Sequence, residues 1–211
     1  MTVAYVYGNS LYLNITNRCS NSCTFCVRTQ ADGFYADDLW LKREPTRDEI
    51  LEAVRKAEPE KYDSVVFCGY GEPTERLDDM LYVCRQIKKE FSLPIRLNTN
   101  GQSDLINCRR TAPDFAGAVD RISISLNAPD AREYARICRP VFGEKAFQAV
   151  LTFAADVKQF VPDTVFSVVK DTITDADIEK CRETAARLGV PIRVRDYIKT
   201  LKIRLAGTIS V

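Results

Sequence analysis

The chain has 211 residues, 45% of them apolar and 28% charged, which is an ordinary balance for one substantial domain. Its net charge of +1 points to neither nucleic acid nor an anionic membrane as a partner, although it leaves room for a local basic patch. Because the sequence contains no histidine, it excludes Ser–His and Cys–His pairs, Cys₂His₂ zinc sites and iron sites built from two histidines and a carboxylate.

The amino terminus carries no basic stretch followed by an apolar core, so it does not resemble a signal peptide. No apolar run approaches the roughly 20 residues that a membrane-spanning helix needs. We therefore expect a cytoplasmic protein that does not enter the membrane. Its eight cysteines are then reduced thiols, metal ligands or core residues rather than disulfides.

Short apolar strands alternate with helices along the chain. A strand over 10–15 can pair with residues 4–7 across a turn at Gly8 and Asn9. The later strands are predicted over 64–68, 94–99, 121–126, 164–169 and 191–198.

Amphipathic helices are predicted between these strands. The first begins with a capping box formed by Thr46 and Glu49, and the last ends at Gly189. The segment over 102–117 is less regular because Pro113 interrupts it. The other helical patterns cover 77–90, 143–160 and 175–188.

Strands that alternate with helices in this way build right-handed βαβ units and a parallel sheet. The periodicity is compatible with a partial barrel or a flat, doubly wound sheet. In both, the ligand site lies at the carboxyl ends of the strands. We expect a single domain over 1–211, with its core over about 10–198 and a carboxyl-terminal tail over 199–211.

Three cysteines, Cys19, Cys23 and Cys26, follow the first long strand with a C-x₃-C-x₂-C spacing. Three thiolates on one loop can hold three irons of a cubane and leave the fourth iron open to another ligand. Zinc is an alternative, but it would need a fourth cysteine from elsewhere in the chain. Three unligated thiols are a further alternative.

Polar motifs stand at the ends of the next three strands: GYGEPT at 69–74, LNTNG at 97–101 and SLNAPD at 125–130. Each motif alone is typical of a turn. Together with the cysteines they resemble the radical S-adenosylmethionine (radical SAM) superfamily. Phe25 stands at the aromatic position of its cysteine signature, and Tyr70 replaces the first glycine of its Gly-Gly-Glu-Pro segment.

The resemblance implies an α/β fold, a parallel (β/α)6 partial TIM barrel, with a [4Fe–4S] cluster on Cys19, Cys23 and Cys26. It also implies that S-adenosylmethionine binds the open iron and is cleaved by one electron to methionine and a 5′-deoxyadenosyl radical, which abstracts hydrogen from a substrate. The electron would come from a donor such as flavodoxin or ferredoxin. Such an enzyme is oxygen-sensitive.

The same resemblance implies residues that contact S-adenosylmethionine. Gly71 would let backbone approach the methionyl group, and Glu72 would support that loop or the methionyl ammonium. Asn98 and Asn100 would contact the methionyl carboxylate or the ribose, and Phe25 would flank the adenine.

Later strands add further candidates. Ser125 and Asn127 would contact the ribose hydroxyls, whereas Val168 and Arg195 would contact the adenine and the carboxylate. Cys68 is a weaker candidate for a catalytic hydrogen-atom or proton donor, its alternative role being that of a small buried apolar residue.

The opening YGNSLYLNITNRC resembles a compact subgroup named for its association with TatD-family proteins, whose substrate is unassigned. The LNTNG segment resembles glycyl-radical-activating enzymes, so an activase that acts on a partner protein is an alternative function. A non-enzymatic iron–sulfur or zinc protein is a third.

Overall fold

Eight strands form one sheet in the computed structural model, which describes residues 1–29, 39–197 and 204–206. The sheet order is β7-β6-β5-β4-β3-β2-β1-β8. The strands from β2 to β7 are parallel, whereas β1 is antiparallel to both β2 and β8. Their bounds are β1 Ala4–Tyr7, β2 Ser10–Leu13, β3 Ser64–Phe67, β4 Ile95–Thr99, β5 Arg121–Ser125, β6 Asp163–Val169, β7 Ile192–Arg195 and β8 Arg204–Ala206.

Helices connect the parallel strands. Their bounds in the described residues are α1 Arg47–Lys56, α2 Leu77–Glu90, α3 Ser103–Asn107, α4 Ala131–Cys138, α5 Lys145–Val157 and α6 Asp175–Leu188. The predicted capping box at the start of α1 is present, and Gly189 ends α6 in the left-handed conformation. The helix α4 was not predicted, although Asp130 caps it by accepting the backbone N–H of Glu133 at 2.9 Å.

The outer face of the parallel strands is apolar and packs against the helices. Each fully buried side chain of this kind stabilises the fold by roughly 1.5–3 kcal/mol. This face includes Leu13, Phe67, Leu97, Ile124 and Phe166, all of which are buried.

The inner face is polar and encloses a cavity. Tyr12 on β2 and Arg193 on β7 line the same space, although four strands lie between them in the sheet order. A flat sheet would hold these side chains far apart, so the sheet curves into the expected partial (β/α)6 barrel.

The strand bounds differ from the prediction by one residue at several ends and by more at two ends. β2 stops at Leu13 rather than Ile15, and the side-chain amide of the next residue, Asn14, donates to the carbonyl of Leu39 at 2.6 Å. β7 stops at Arg195. Apart from β8, the predicted tail over 199–211 lies outside the described residues, so the division into core and tail stays a prediction. Over the described ranges, no helix is both long and apolar enough to span a bilayer.

Candidate functional site

The three cysteines lie on the loop that follows β2, at the carboxyl ends of the parallel strands. All three side chains are half-buried. The backbone N–H groups of Ser22 and Thr24 donate to the carbonyls of Cys138 at 3.1 Å and Ile137 at 2.9 Å. These carbonyls belong to the last turn of α4, where a helix has no internal partners for them. The end of α4 therefore holds the cysteine loop in place.

The environment of the thiols favours their neutral form in the protein alone. Burial raises the pKa of Cys19 to about 12, and burial also raises the pKa of Cys26. A hydrogen bond with the Cys138 thiol, followed by burial, raises the pKa of Cys23. Arg28 opposes these shifts. Binding to a metal deprotonates a thiol outright, so an iron cluster would supply the positive charge that these sulfurs require.

The donor set on this loop is three thiols, which as thiolates suit an iron–sulfur cluster. Among the described residues, no three Cys, Asp or Glu side chains converge as the ligands of one metal ion do. In a cubane each thiolate binds a different iron, so three cysteines spread along a loop need not converge.

Arg28 joins the cysteine loop to the loop that follows β3. Its guanidinium donates to the carbonyls of Asn17 at 3.2 Å, Tyr70 at 3.3 Å and Asn21 at 3.1 Å. This positioning role was not predicted from the sequence. The only available signal was an arginine two residues after the last cysteine.

Gly71 lies where the two loops touch. A Cβ at this position would overlap the carbonyl oxygens of Thr16 and Arg18. The next residue, Glu72, donates its backbone N–H to the Arg18 carbonyl at 2.8 Å. The missing side chain of Gly71 thus allows close contact with the cysteine loop, and its predicted approach to a methionyl group stays a prediction.

The Glu72 carboxylate is only 3% exposed and connects two strand ends. It accepts from the Thr74 backbone at 3.1 Å and hydroxyl at 2.8 Å, from the Thr99 hydroxyl at 2.7 Å and from the Asn100 backbone at 2.6 Å. Burial raises the pKa of Glu72, and these hydrogen bonds oppose that rise. This geometry suits support of the loop, one of its two predicted roles.

Asn98 and Asn100 have different surroundings. Asn98 lines a cavity at the carboxyl ends of the strands, and its side chain bonds the Cys68 thiol. The Asn100 amide donates to the Ser20 hydroxyl at 2.8 Å and accepts from the Gln102 backbone at 2.9 Å. In this structure Asn100 therefore braces the cysteine loop, whereas Asn98 faces open space.

Ser125 and Asn127 lie at the end of β5, as predicted. Ser125 pairs in register with Ser167 of β6. Asn127 is 4% exposed, has a left-handed backbone with φ of 57°, and its Nδ2 lies 3.9 Å from the Cys138 sulfur. The buried Asn127 Oδ1 and Ser167 Oγ have no hydrogen-bond partner within the described part of the chain. Buried polar atoms nearly always have partners, so this pair fits a site that receives a polar ligand.

The cavity at the carboxyl ends, which we call the upper cavity, has a volume of about 260 Å³. Predicted residues that line it are Phe25, Cys68, Asn98 and Arg195, together with the ligand candidate Cys26. Val168 does not line it.

Val168 lies in the hydrophobic core on the helix side of β6, whereas the adjacent Val169 lines the upper cavity. Successive side chains of a strand point to opposite faces, so only one of the two valines can face the site. Val169 therefore replaces Val168 as the candidate contact on this strand.

Comparisons with known proteins agree with this geometry. The family model described as Radical SAM superfamily matches residues 13–185. A probable dual-specificity RNA methyltransferase RlmN from Clostridium acetobutylicum is 26% identical over 207 residues, which cover 90% of this chain and 52% of that protein. A GTP 3′,8-cyclase from Lactiplantibacillus plantarum is 29% identical over 128 residues, covering 60% of this chain and 36% of that protein. The chain thus spans about half or less of these relatives.

The solved structure of anSMEcpe with bound AdoMet superposes with a TM-score of 0.63 and 18% identity, covering 89% of this chain and 50% of that one. At this identity the likeness shows the fold. The family match extends over most of the chain and includes the cysteine loop, the Glu72 network and the Asn127 turn. The chain therefore belongs to the radical SAM superfamily, whose cofactors are a [4Fe–4S] cluster and S-adenosylmethionine.

Proposed function

We propose that this chain is an enzyme that holds a [4Fe–4S] cluster on Cys19, Cys23 and Cys26. When bound and reduced, that cluster would supply the electron that cleaves S-adenosylmethionine to a hydrogen-abstracting 5′-deoxyadenosyl radical. The observation that carries the proposal is the pair of unpartnered buried oxygens, Asn127 Oδ1 and Ser167 Oγ. The two residues are neighbours, since the Asn127 backbone N–H donates to the Ser167 carbonyl at 3.4 Å. The Asn127 side chain also approaches the Cys138 sulfur, with its Nδ2 at 3.9 Å.

The binding roles fall on residues at the end of β5 and on residues that line the upper cavity. The Asn127 Oδ1 is an acceptor, so it suits a hydroxyl donor such as those of ribose. Ser125 pairs in register with Ser167 at the carboxyl ends of β5 and β6. Asn98 lines the upper cavity and offers both a donor and an acceptor. Phe25 and Tyr70 contribute aromatic surface that can pack on adenine and exclude water.

Structural support is assigned to a second set of residues. Glu72, Asn100 and Arg28 bond other parts of the chain and hold the loops after β2, β3 and β4 in fixed relative positions. We assign them to positioning, because a site works only when its loops are held within a fraction of an ångström of their productive geometry.

The substrate and the reaction outcome are outside this proposal. The relatives are named as an RNA methyltransferase and a GTP cyclase, which are different reactions. We propose that the electron comes from a small redox protein such as flavodoxin or ferredoxin. The likeness to the TatD-associated subgroup and to glycyl-radical-activating enzymes stays a prediction.

The test is anaerobic reconstitution with iron and sulfide, followed by reduction with dithionite in the presence of S-adenosylmethionine. We expect 5′-deoxyadenosine and methionine in equal amounts, measured by liquid chromatography and mass spectrometry. A protein whose cluster is intact and reducible, but which makes no 5′-deoxyadenosine, would show that the chain is not such an enzyme. An activase would in addition place a glycyl radical on a partner protein, visible by electron paramagnetic resonance.

A further inference from the structure

A second cavity of about 560 Å³ lies inside the curved sheet, and we call it the lumen. It adjoins the upper cavity, since Asn98, Arg195 and Tyr12 line both. Its wall is strongly basic. The charged residues that line it are Arg96, Arg121, Asp163, Arg193, Arg195 and Asp196.

These charges are not equally compensated. Arg121 forms an ion pair with Asp163, with its Nε 2.6 Å from a carboxylate oxygen, and both side chains are largely exposed. The side chains of Arg96 and Arg195 have no hydrogen bond or ion pair with any residue that the structure describes, and the Nε atom of each is buried without a partner. Asp196 is exposed at the rim.

A guanidinium whose Nε is buried without a partner is an unfavourable arrangement. Arginine stays charged in proteins, so its desolvation is not relieved by loss of a proton. Burial lowers the pKa of Arg195, and the neighbouring charge of Arg193 lowers it further. Arg96 on β4 and Arg195 on β7 line one cavity, so both are stabilised when an anion enters it. The guanidinium fork matches the oxygens of a carboxylate or a phosphate.

We propose that the lumen binds a carboxylate or phosphate group of a small-molecule substrate, with Arg96 and Arg195 as its anchors. The assignment of this anion to a substrate rests on the function proposed above. Because Arg195 and Asn98 form the junction with the upper cavity, a molecule anchored here extends towards the cofactor. The lumen volume lies within the range of about 300–1,000 Å³ typical of small-molecule sites.

The test is calorimetric titration of the reconstituted protein with inorganic phosphate, pyrophosphate and citrate, with S-adenosylmethionine present. We expect at least one of these anions to bind, and Arg96→Gln and Arg195→Gln to weaken that binding about tenfold or more. Arg182→Gln is the matched control, because Arg182 pairs with Glu179 on α6 and lies outside both cavities. It should bind like the wild type.

Thermal unfolding separates an anion site from a structural role. In buffer free of multivalent anions, Arg96→Gln should have a Tm equal to or above that of the wild type, because it removes a charged group whose Nε is buried without a partner. Adding the bound anion should raise the Tm of the wild type more than that of the variant. Should either glutamine variant fail to fold, Arg96→Lys and Arg195→Lys keep the charge, lose the fork and should still weaken binding.

Three outcomes overturn the proposal. The first is that none of the three anions binds the wild type, or that Arg182→Gln weakens binding as much as the lumen variants do. The second is a loss of S-adenosylmethionine affinity in Arg96→Gln as large as the loss of anion affinity, which would assign the site to the cofactor. The third is Arg96-dependent binding of an RNA oligonucleotide without binding of the small anions.

Failure of this inference is distinguishable from failure of the proposed function. Arginine-dependent anion binding without formation of 5′-deoxyadenosine would remove the proposed function and leave the anion site. Formation of 5′-deoxyadenosine without anion binding would remove the anion site and leave the proposed function.

Discussion

The Oε2 atom of Glu72 accepts the backbone N–H of Asn100 at 2.6 Å and so connects the loop after β3 to the end of β4. The other carboxylate oxygen accepts from Thr74 and Thr99. The carboxylate accepts four hydrogen bonds in total, and it is almost fully buried. The carboxylate is thus a fixed acceptor between two strand ends, and both depend on it for their position.

Glu72→Gln should therefore destabilise the protein. The glutamine side chain has one NH₂ group, which must face either the Asn100 backbone N–H or the threonine donors. Two buried hydrogen-bond donors would then point at each other with no acceptor between them. A loss of about 1–3 kcal/mol is expected, because an unsatisfied buried polar group costs about that much. The free energy of unfolding in urea measures it. Glu60→Gln, at an exposed position, is the control and should unfold like the wild type. Equal stability of the two variants would contradict the bracing role.

Cys23→Ala should abolish stable cluster binding, whereas Cys138→Ala should retain it. Both sulfurs lie in one thiol pair, yet only Cys23 belongs to the three-cysteine loop. After anaerobic reconstitution we expect about four irons per chain in the wild type and in Cys138→Ala, measured by iron analysis. Cys108→Ala, at an exposed cysteine, controls for handling. If Cys138→Ala loses its metal as Cys23→Ala does, a site of four cysteines, as zinc requires, would replace the three-cysteine assignment.

Asn127→Gly should weaken S-adenosylmethionine binding about tenfold, the equivalent of one hydrogen bond, with little change in stability. Glycine accepts the left-handed backbone of Asn127 and removes only the side chain. Asp171→Gly makes the same change at an exposed left-handed position and should leave affinity unchanged. Equilibrium dialysis with the reconstituted protein measures both. Unaltered affinity in Asn127→Gly would mean that Oδ1 does not receive the cofactor.

The sequence predicted the fold well where periodicity and end signals agree. The helices α2 and α6 match their predicted bounds because their apolar spacing is regular, and α6 is in addition capped by Thr174 and ended by Gly189. The helix α4 was missed because it spans only 8 residues, too few for periodicity to distinguish it from a loop. That omission affects the site, since the end of α4 holds the cysteine loop.

The site was predicted as a set of strand ends, but the sequence did not separate ligand contacts from braces. Asn98 and Asn100 have the spacing of one strand face. However, β4 ends at Thr99, and beyond it alternation no longer determines direction. Val168 was the predicted contact on β6, and the register of β6 against β7 is not visible in a single sequence. The pairing of Val169 with Arg195 decides it. Likewise, the lack of partners for Arg96 is a property of the assembled lumen.

The capping box of α1 gives a prediction for pH dependence. Hydrogen bonds from Arg43 and from the Thr46 backbone lower the pKa of Glu49 to about 2. A folded-state pKa below that of the unfolded chain gives a stabilisation that is fully present above about pH 4.3 and is lost as the pH falls through 2. Wild-type protein should therefore be more stable than Glu49→Gln at pH 7, and the difference should shrink towards pH 2. Urea unfolding at several pH values measures it.

Glu52→Gln, on the same helix but outside the box, should show a smaller difference at neutral pH, because Glu52 takes part only in an exposed ion pair with Lys56. A difference between wild type and Glu49→Gln that does not change with pH would show that the cap depends on the geometry of the side chain and not on its charge.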